Sequence, residues 1–277
     1  MGARIICLSG GEPFLHYRIV DMIEFVNSLG LDSYIYTSGI IFDTNNQRAP
    51  LDKSILKSIS GKVTKLIFNI EACSPSTYNL IMGTKDCFEK MKLSVVMAND
   101  LSILTEAHFV PMKLNVNELQ DVVSLCRELN ISKISLLRLV MHGRALQNEQ
   151  EIALSRDEFL QLQADLEALH NKSNIDIRIG VPLSTDISSH KCEAANGKIN
   201  IRYDGSVLPC EAFKNDRVQY RFKGLKPESI HEYSLVDIYQ NSNYLNYIRE
   251  LSQKFSSSGH FETCIGQYLI NNSGVNR

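Results

Sequence analysis

The sequence predicts an α/β protein built around a parallel β-sheet. Short apolar runs typical of buried strands alternate with segments of helical periodicity, the arrangement expected of consecutive βαβ units. The chain has 277 residues, of which 44% are hydrophobic and 22% charged, enough for one large domain and a second, smaller one. Periodicity fits a (β/α) barrel and an open doubly wound sheet equally well, so both architectures stay open at this point.

Five strands and five helices are predicted before residue 171. The helix at 156–170 begins with a capping box, in which Ser155 and Glu158 satisfy each other's backbone N–H groups. A further strand is predicted at Ile175–Ile179 from its alternating pattern. The five strands are Ile5–Ser9, Ser33–Thr37, Lys65–Ile70, Leu104–Pro111 and Lys133–Leu139, and the five helices are Phe14–Leu29, Leu51–Ile59, Phe88–Ala98, Asn117–Leu129 and Arg156–His170.

The pattern changes near residue 180, and a boundary at about residue 185 is predicted, with a large domain at residues 1–185 and a small one at 186–277. In the small domain, Lys198–Tyr203 and Ser206–Leu208 flank Asp204-Gly205. This dipeptide predicts a two-residue hairpin turn with positive φ at both positions. The small domain is therefore expected to contain a β-hairpin.

Composition excludes several classes of protein. The net charge is −2 without a dominant basic block, which argues against nucleic-acid binding. No apolar run approaches the roughly 18 residues of a membrane-spanning helix, and no signal peptide is visible. The seven cysteines are an odd number, which favours free thiols or metal ligands over a disulfide framework. The expected location is the cytoplasm, with no membrane partner.

The most informative segment is Gly10-Gly11-Glu12-Pro13, directly after the first predicted strand. A glycine pair at this position lets backbone amides approach a ligand closely, and Glu12 adds a charged side chain that only accepts hydrogen bonds. The combination suits a ligand with an ammonium group. The alternative is a turn that merely ends a strand.

This segment resembles the signature of the radical S-adenosylmethionine (radical SAM) enzymes, where it ends the second strand of a partial (β/α)6 barrel and holds the amino group of the methionine moiety. Four further segments support the resemblance, which covers about residues 4–145. It implies a SAM site formed by Gly10, Gly11, Glu12, Pro13 and Thr37, with Asn115 and Arg138 near strand ends. The four segments are Tyr36-Thr37-Ser38-Gly39, with Ser38 where the family has Asn, Leu66–Glu71 at the fourth strand, Tyr78–Thr84 at the loop and turn that follow it, and Arg138–Ala145 at the sixth.

A second resemblance lies around Cys192 and Cys210, which flank the predicted hairpin as in the auxiliary-cluster domains called SPASM and twitch. The resemblance implies a [4Fe-4S] cluster on Cys192, Cys210 and Cys264. Such clusters usually take four ligands, but Gln267 stands where related families have a further cysteine. The site is expected to be incomplete, vestigial or open to a fourth ligand, and the alternative is a set of unrelated buried thiols.

One departure from the family concerns the catalytic cluster. Radical SAM enzymes carry Cys-x3-Cys-x2-Cys upstream of the Gly-Gly-Glu-Pro segment, whereas Cys7 stands alone in a predicted strand. The resemblance therefore implies a partial (β/α)6 TIM-like barrel that lacks its first β/α unit and does not generate the 5′-deoxyadenosyl radical by itself.

Three hypotheses follow from these observations. In the first, the chain is a truncated form of an enzyme that cleaves SAM to abstract hydrogen from a peptide or protein, using an external electron donor. In the second, it is a degenerate, non-catalytic paralogue that binds a peptide or protein partner. In the third, it is an ordinary α/β metabolic enzyme in which Gly-Gly-Glu-Pro occurs by chance.

Overall fold

The computed structural model describes residues 2–141, 143–170, 175–180, 183, 192–214, 224–257, 264–266 and 269. The strands in chain order are β1 (Ile5–Leu8), β2 (Asp32–Thr37), β3 (Ile40–Phe42), β4 (Arg48–Pro50), β5 (Lys65–Asn69), β6 (Thr105–Phe109), β7 (Lys133–Leu136), β8 (Asp176–Ile179), β9 (Asn200–Ile201) and β10 (Val207–Leu208).

The described helices are α1 (Ile19–Ser28), α2 (Lys53–Ile59), α3 (Pro75–Met82), α4 (Cys87–Asp100), α5 (Leu119–Glu128), α6 (Arg144–Gln147), α7 (Glu149–Ile152), α8 (Arg156–His170), α9 (Leu235–Asn241) and α10 (Asn243–Ser257). Short 3₁₀ turns lie at Pro13–Leu15, Val116–Glu118 and Glu211–Lys214. Within the described part of the chain, no helix has the length and apolar character needed to cross a membrane.

The main sheet has six parallel strands in the order β1-β2-β5-β6-β7-β8. This order follows the chain without reversal, whereas a doubly wound sheet reverses direction at a switch point. Right-handed crossovers that always advance in the same direction place their helices on one face of the sheet. The structure therefore favours the barrel type of winding over the doubly wound alternative, and confirms the expected α/β class.

The two faces of this sheet differ in character because successive side chains along a strand point to opposite sides. One face is apolar and fully buried; it includes Ile35, Leu66, Phe68, Ala107, Phe109, Ile134 and Leu136. The opposite face, here called the inner face, carries polar side chains on every strand. It includes Cys7, Tyr34, Tyr36, Lys65, Asn69, Glu106, His108, Lys133, Ser135, Asp176 and Arg178.

Several predicted elements need correction at their ends. The helix predicted at Phe14–Leu29 is divided into the 3₁₀ turn Pro13–Leu15 and α1, which begins only at Ile19. The segment after β5 was expected to be a loop but contains α3, which Ser74 caps by accepting the Thr77 N–H and which ends at Gly83 with φ +67°. The β3–β4 hairpin was not predicted either.

The capping box of α8 is confirmed. Glu158 Oε2 accepts the Ser155 N–H at 2.7 Å, and Ser155 Oγ accepts the Glu158 N–H at 3.2 Å. These hydrogen bonds hold the pKa of Glu158 below its usual value. The sequence motif alone was sufficient for this assignment because both partners lie within one turn of helix.

The chain divides into two compact units. One contains residues 2–139 and 151–180, and the other contains residues 140–150 together with the described residues after 180. The boundary predicted near residue 185 lies outside the described residues. In the second unit, β9 and β10 pair antiparallel above a core that includes Phe213, Tyr244, Leu245 and Ile248.

The turn between β9 and β10 differs from the prediction. Of Asp204 and Gly205, only Gly205 has positive φ, at +80°. The Arg202 N–H donates to Ser206 O and the Gly205 N–H donates to Arg202 O, so the loop has three residues and ends in a left-handed glycine. A Cβ at Gly205 would also lie 2.6 Å from the His231 ring, which explains why glycine stands there.

Candidate functional site

The Glu12 carboxylate is held in place where β1 and β2 end side by side. Its Oε1 accepts the Thr37 hydroxyl at 2.7 Å and the Phe14 N–H at 3.3 Å. Its Oε2 accepts the Ser38 N–H at 2.8 Å and the Ser38 hydroxyl at 2.6 Å. Four donors therefore fix both oxygens, so the carboxylate is oriented before any ligand arrives.

The neighbouring backbone is arranged as the sequence suggested. Gly10 and Gly11 are exposed, and Gly10 has φ +144°, which strongly favours glycine. Pro13 and Phe14 are buried and start the 3₁₀ turn, which anchors Glu12 from the other side. The structure thus brings Gly10, Glu12 and Thr37 to one edge of the sheet, with open space at the Gly10 and Gly11 α-carbons.

Asn115 has a different environment from these residues. Its side chain is completely buried, its Oδ1 accepts the Met112 N–H at 2.7 Å, and its Nδ2 donates to Glu71 O at 2.8 Å and Val110 O at 3.1 Å. The amide therefore ties the end of β6 to the segment after β5. These contacts give Asn115 a structural role, while its predicted contact with a cofactor stays a prediction.

Arg138 lies just after β7, on the chain segment that leads away from the sheet edge. Its guanidinium carbon is 5.8 Å from the centre of the Phe159 ring in α8, a cation–π distance. The described contacts place Arg138 beside α8 and do not join it to Glu12. Its role in cofactor binding likewise stays a prediction.

Glu71 is a buried carboxyl group at the same edge of the sheet. Burial raises its pKa to about 7, against the opposing effect of the Val110 N–H that donates to its Oε2 at 3.1 Å. A carboxyl group with this pKa exchanges its proton near neutrality. The sequence comparison placed Glu71 at a polar strand end but gave no sign of this burial.

Polar contacts connect the strands across the inner face. Lys65 Nζ lies 2.7 Å from Glu106 Oε1 in a mostly buried ion pair, and 4.1 Å from the centre of the Tyr34 ring. The Tyr36 and His108 rings are 5.1 Å apart between centroids. Burial, helped by Arg178 and Lys65, lowers the pKa of His108 to about 4, so its imidazole is neutral at pH 7. His108, in the middle part of β6, is thus packed among other inner-face side chains.

The three cysteines of the second unit share one electrostatic neighbourhood. Burial raises the pKa of Cys210 to about 11; Cys264 and Cys192 raise it further, whereas Lys198 and the Ala212 backbone oppose the rise. Thiolates are the ligands of iron–sulfur clusters, so the donor type fits such a group. No described set of three or more His, Cys, Asp or Glu side chains is arranged to hold a metal ion, so these thiols do not form a closed ligand set.

The loop after Cys192 is braced by the two helices that follow in this unit. Arg249 donates from Nε to Ala195 O at 3.0 Å and from a terminal nitrogen to Tyr239 O at 2.6 Å, and the Tyr239 hydroxyl donates to Asn196 O at 2.8 Å. The Ala195 N–H donates to Pro209 O at 3.0 Å, next to Cys210. These bonds hold the Cys192 loop against the Cys210 segment.

The segment that contains Cys264 packs closely on the turn after Cys210. A Cβ placed on Gly266 would lie only 2.7 Å from the Ala212 Cβ, so glycine permits this approach. Ile265 belongs to the buried core of the same unit, and Cys192 and Cys210 pack against that core. The segment that contains Cys264 and the turn after Cys210, which are distant in sequence, therefore lie against each other.

Two residues with clear contacts were not identified from the sequence as important. Ser38 supplies two of the four hydrogen bonds to Glu12, although the comparison marked it only as a replacement for Asn. Glu118 lies at the start of the predicted helix Asn117–Leu129, where the sequence pattern indicates an ordinary helix-face charge. That interpretation is wrong, because its carboxylate accepts the N–H groups of Cys73 and Ser74 at 2.9 and 2.8 Å. Such long-range contacts leave no local sequence signal.

Comparison with known proteins adds three findings. The family model of SPASM, an iron–sulfur cluster-binding domain, matches residues 192–265, which include Cys192, Cys210 and Cys264. The PqqA peptide cyclase of Rhizobium meliloti (strain 1021) is 24% identical over 90% of this chain, and that of Gluconobacter oxydans (strain 621H) is 23% identical over 76%. The chain spans 64% and 58% of the length of these two relatives.

The solved structures show the same fold at low sequence identity. Streptococcus suis SuiB bound to S-adenosylmethionine superposes with a TM-score of 0.68 at 15% identity, covering 88% of this chain and 56% of SuiB. anSMEcpe with bound AdoMet and a peptide superposes with a TM-score of 0.64 at 15% identity, covering 94% of this chain and 74% of that protein. The comparisons therefore show similarity to SPASM in the C-terminal part of the chain, to the PqqA peptide cyclases over most of its length, and to SuiB and anSMEcpe in fold.

Proposed function

We propose that the chain is the SAM-binding and peptide-binding part of a peptide-modifying radical SAM enzyme. The observation that carries the proposal is the Glu12 carboxylate, fixed by four hydrogen bonds at the carboxyl-terminal edge of the parallel sheet. Edges of this kind are the usual ligand sites of α/β folds. The relatives support the substrate class, because one is a PqqA peptide cyclase and SuiB has been solved with its precursor peptide SuiA.

Glu12 is proposed to bind the α-ammonium group of SAM. The carboxylate has about four acceptor positions, and all four are occupied by Phe14, Thr37 and Ser38. The Ser38 hydroxyl is the donor that yields most easily, since Ile40 O lies 3.4 Å away as a second acceptor. On binding, the ammonium group would replace this hydroxyl, while Thr37 and the Ser38 N–H keep the carboxylate in position.

Cys192, Cys210 and Cys264 are proposed to hold the auxiliary iron–sulfur cluster. The SPASM match and the shared neighbourhood of the three thiols support this assignment. A cluster at this place would supply electron-transfer capacity and order the second unit. Because ligation requires thiolates, the pKa of Cys210 is expected to fall well below about 11 when the cluster binds.

The experiment that tests the SAM site is calorimetric titration of the purified chain with SAM. Glu12→Gln removes the negative charge at nearly constant shape, and Glu89→Gln makes the same change at a mostly exposed residue of α4. We expect Glu12→Gln to weaken SAM binding about tenfold or more, while Glu89→Gln binds like the parent. Equal affinities for the parent and both variants would refute the proposal.

A second candidate function is peptide binding without cleavage of SAM, and the spacing of the seven cysteines favours it, because no three of them form Cys-x3-Cys-x2-Cys. One assay can exclude the second function. The chain is reconstituted anaerobically with iron and sulfide, then incubated with SAM and dithionite. Formation of 5′-deoxyadenosine in proportion to protein would refute binding without cleavage. SAM binding without this product is expected of both functions, because the first assigns this chain only the SAM-binding and peptide-binding part of the enzyme.

A further inference from the structure

One row of the inner face contains a cation, Arg178, that has no ion-pair partner among the described residues. Register joins Asn69 to His108, His108 to Ser135, and Ser135 to Arg178, across β5, β6, β7 and β8. These four side chains therefore point to the same side, near the carboxyl-terminal edge of the sheet. With strands about 4.8 Å apart, the row is about 14 Å long, the length of about four extended peptide residues.

The charges next to this row cancel in pairs, except at Arg178. Lys65 pairs with Glu106 at 2.7 Å, and Lys133 pairs with Asp176 at 2.8 Å. Across the part of the chain that the structure describes, no carboxylate pairs with Arg178, which is exposed on the outermost strand β8. Its field still reaches other strands of the sheet, since it adds to the lowering of the pKa of His108 and partly opposes the rise that burial causes in the pKa of Tyr36.

The two neighbours of Arg178 in the row are suited to hydrogen bonding. Ser135 is 3% exposed and lies directly beside Arg178 in the register, so its hydroxyl is placed to take part in hydrogen bonding there. His108 is neutral, so its ring offers one donor and one acceptor. A guanidinium with a hydroxyl and a neutral imidazole beside it forms a binding site for a carboxylate rather than for a cation.

We propose that Arg178, supported by Ser135 and His108, binds a side-chain carboxylate of the substrate peptide, so that the protein selects peptides with Asp or Glu at the bound position. This inference rests on the proposed peptide-modifying function. It concerns a site on β8, whereas Glu12 is held beside the end of β2, four strand positions away in the order of the sheet.

The test compares two blocked pentapeptides, acetyl-Ala-Ala-Glu-Ala-Ala-amide and the same peptide with Gln in place of Glu. The Glu side chain is the only charged group of the first peptide, and the second peptide has none. Binding is followed by nuclear magnetic resonance titration at millimolar peptide, with the Arg side-chain Nε–H signals as reporters. We expect the Glu peptide to bind about tenfold more tightly than the Gln peptide, and we expect high salt to reduce this preference.

Arg178→Gln should abolish the preference for the Glu peptide. Arg127→Gln, the same change at an exposed residue of α5, should leave it intact. Arg178→Lys keeps the charge but loses the planar fork, so an intermediate preference is expected. Equal binding of the two peptides to the parent, absence of binding, or an unchanged preference in Arg178→Gln would each overturn the proposal.

A titration with saturating SAM separates the peptide site from the cofactor site. If SAM eliminates the preference for the Glu peptide, the carboxylate site belongs to the cofactor and the proposal fails. Calorimetry with SAM on the same sample tests the proposed function independently. SAM binding without peptide preference refutes only the Arg178 site, and peptide preference without SAM binding refutes only the proposed function.

Discussion

Thr37→Val tests the hydrogen-bond set around Glu12. The variant keeps the shape of the buried side chain and removes only its hydroxyl, which donates to Glu12 at 2.7 Å and accepts the Gly39 N–H at 2.9 Å. Loss of a hydrogen bond to a charged group costs about 1.5–3 kcal/mol, and an unsatisfied buried N–H costs about 1–3 kcal/mol. Allowing for partial relaxation, we expect the free energy of unfolding to fall by about 3 kcal/mol.

The matched control is Thr37→Ser, which keeps the hydroxyl and removes the methyl group instead. Deleting one buried methyl group costs about 1 kcal/mol, so the Ser variant should be the more stable of the two. Urea unfolding of both variants gives the difference from the transition midpoints, provided that the denaturant dependence is the same. A Val variant as stable as the Ser variant would refute the account of how Glu12 is held.

Three further predictions concern stability. Burial raises the pKa of Glu71 from 4.5 to about 7, so this carboxyl group binds its proton more tightly in the folded protein than in the unfolded chain. The free energy of unfolding should therefore fall by about 3 kcal/mol as the pH rises from 4.5 to 7. Urea titrations across that range should show this fall in the parent and not in Glu71→Gln. Asn115→Ala leaves the buried Met112 N–H unsatisfied, and should lower the free energy of unfolding by about 3 kcal/mol; a loss below about 1 kcal/mol would contradict its structural role. Gly266→Ala should destabilise the second unit by about 1–3 kcal/mol through contact with Ala212, and Ala212→Gly in the same chain should restore the thermal midpoint; lack of rescue would show that this contact is not the cause.

The main sheet could be predicted because its evidence is local. Parallel strands with one buried apolar face give short, largely apolar runs, and β1, β2, β5, β6 and β7 were all found in this way. Except for β2, which begins one residue earlier than predicted, these strands were predicted too long; the predicted strand Leu104–Pro111, for example, continues past Phe109, where β6 ends. The choice of barrel winding required strand order, which periodicity does not contain.

The site could be predicted only in part. Gly10, Glu12 and Thr37 were chosen because they lie at or just after strand ends in a known pattern, and the structure brings Glu12 and Thr37 into contact. Asn115 and Arg138 were chosen for similar positions, but their described contacts are set by distant chain segments, at Glu71 and Phe159. Side-chain partners of this kind depend on tertiary packing, which the sequence pattern does not specify.

The most direct test of the central claim is a thermodynamic cycle between Glu12 and the ammonium group of SAM. Calorimetry measures the parent and Glu12→Gln, each with SAM and with the analogue that has a hydroxyl in place of the α-ammonium group. If the carboxylate binds the ammonium group, the two changes are not additive, and the coupling free energy should be at least about 1.4 kcal/mol, or tenfold in affinity. Additive losses within about 0.3 kcal/mol would contradict the account.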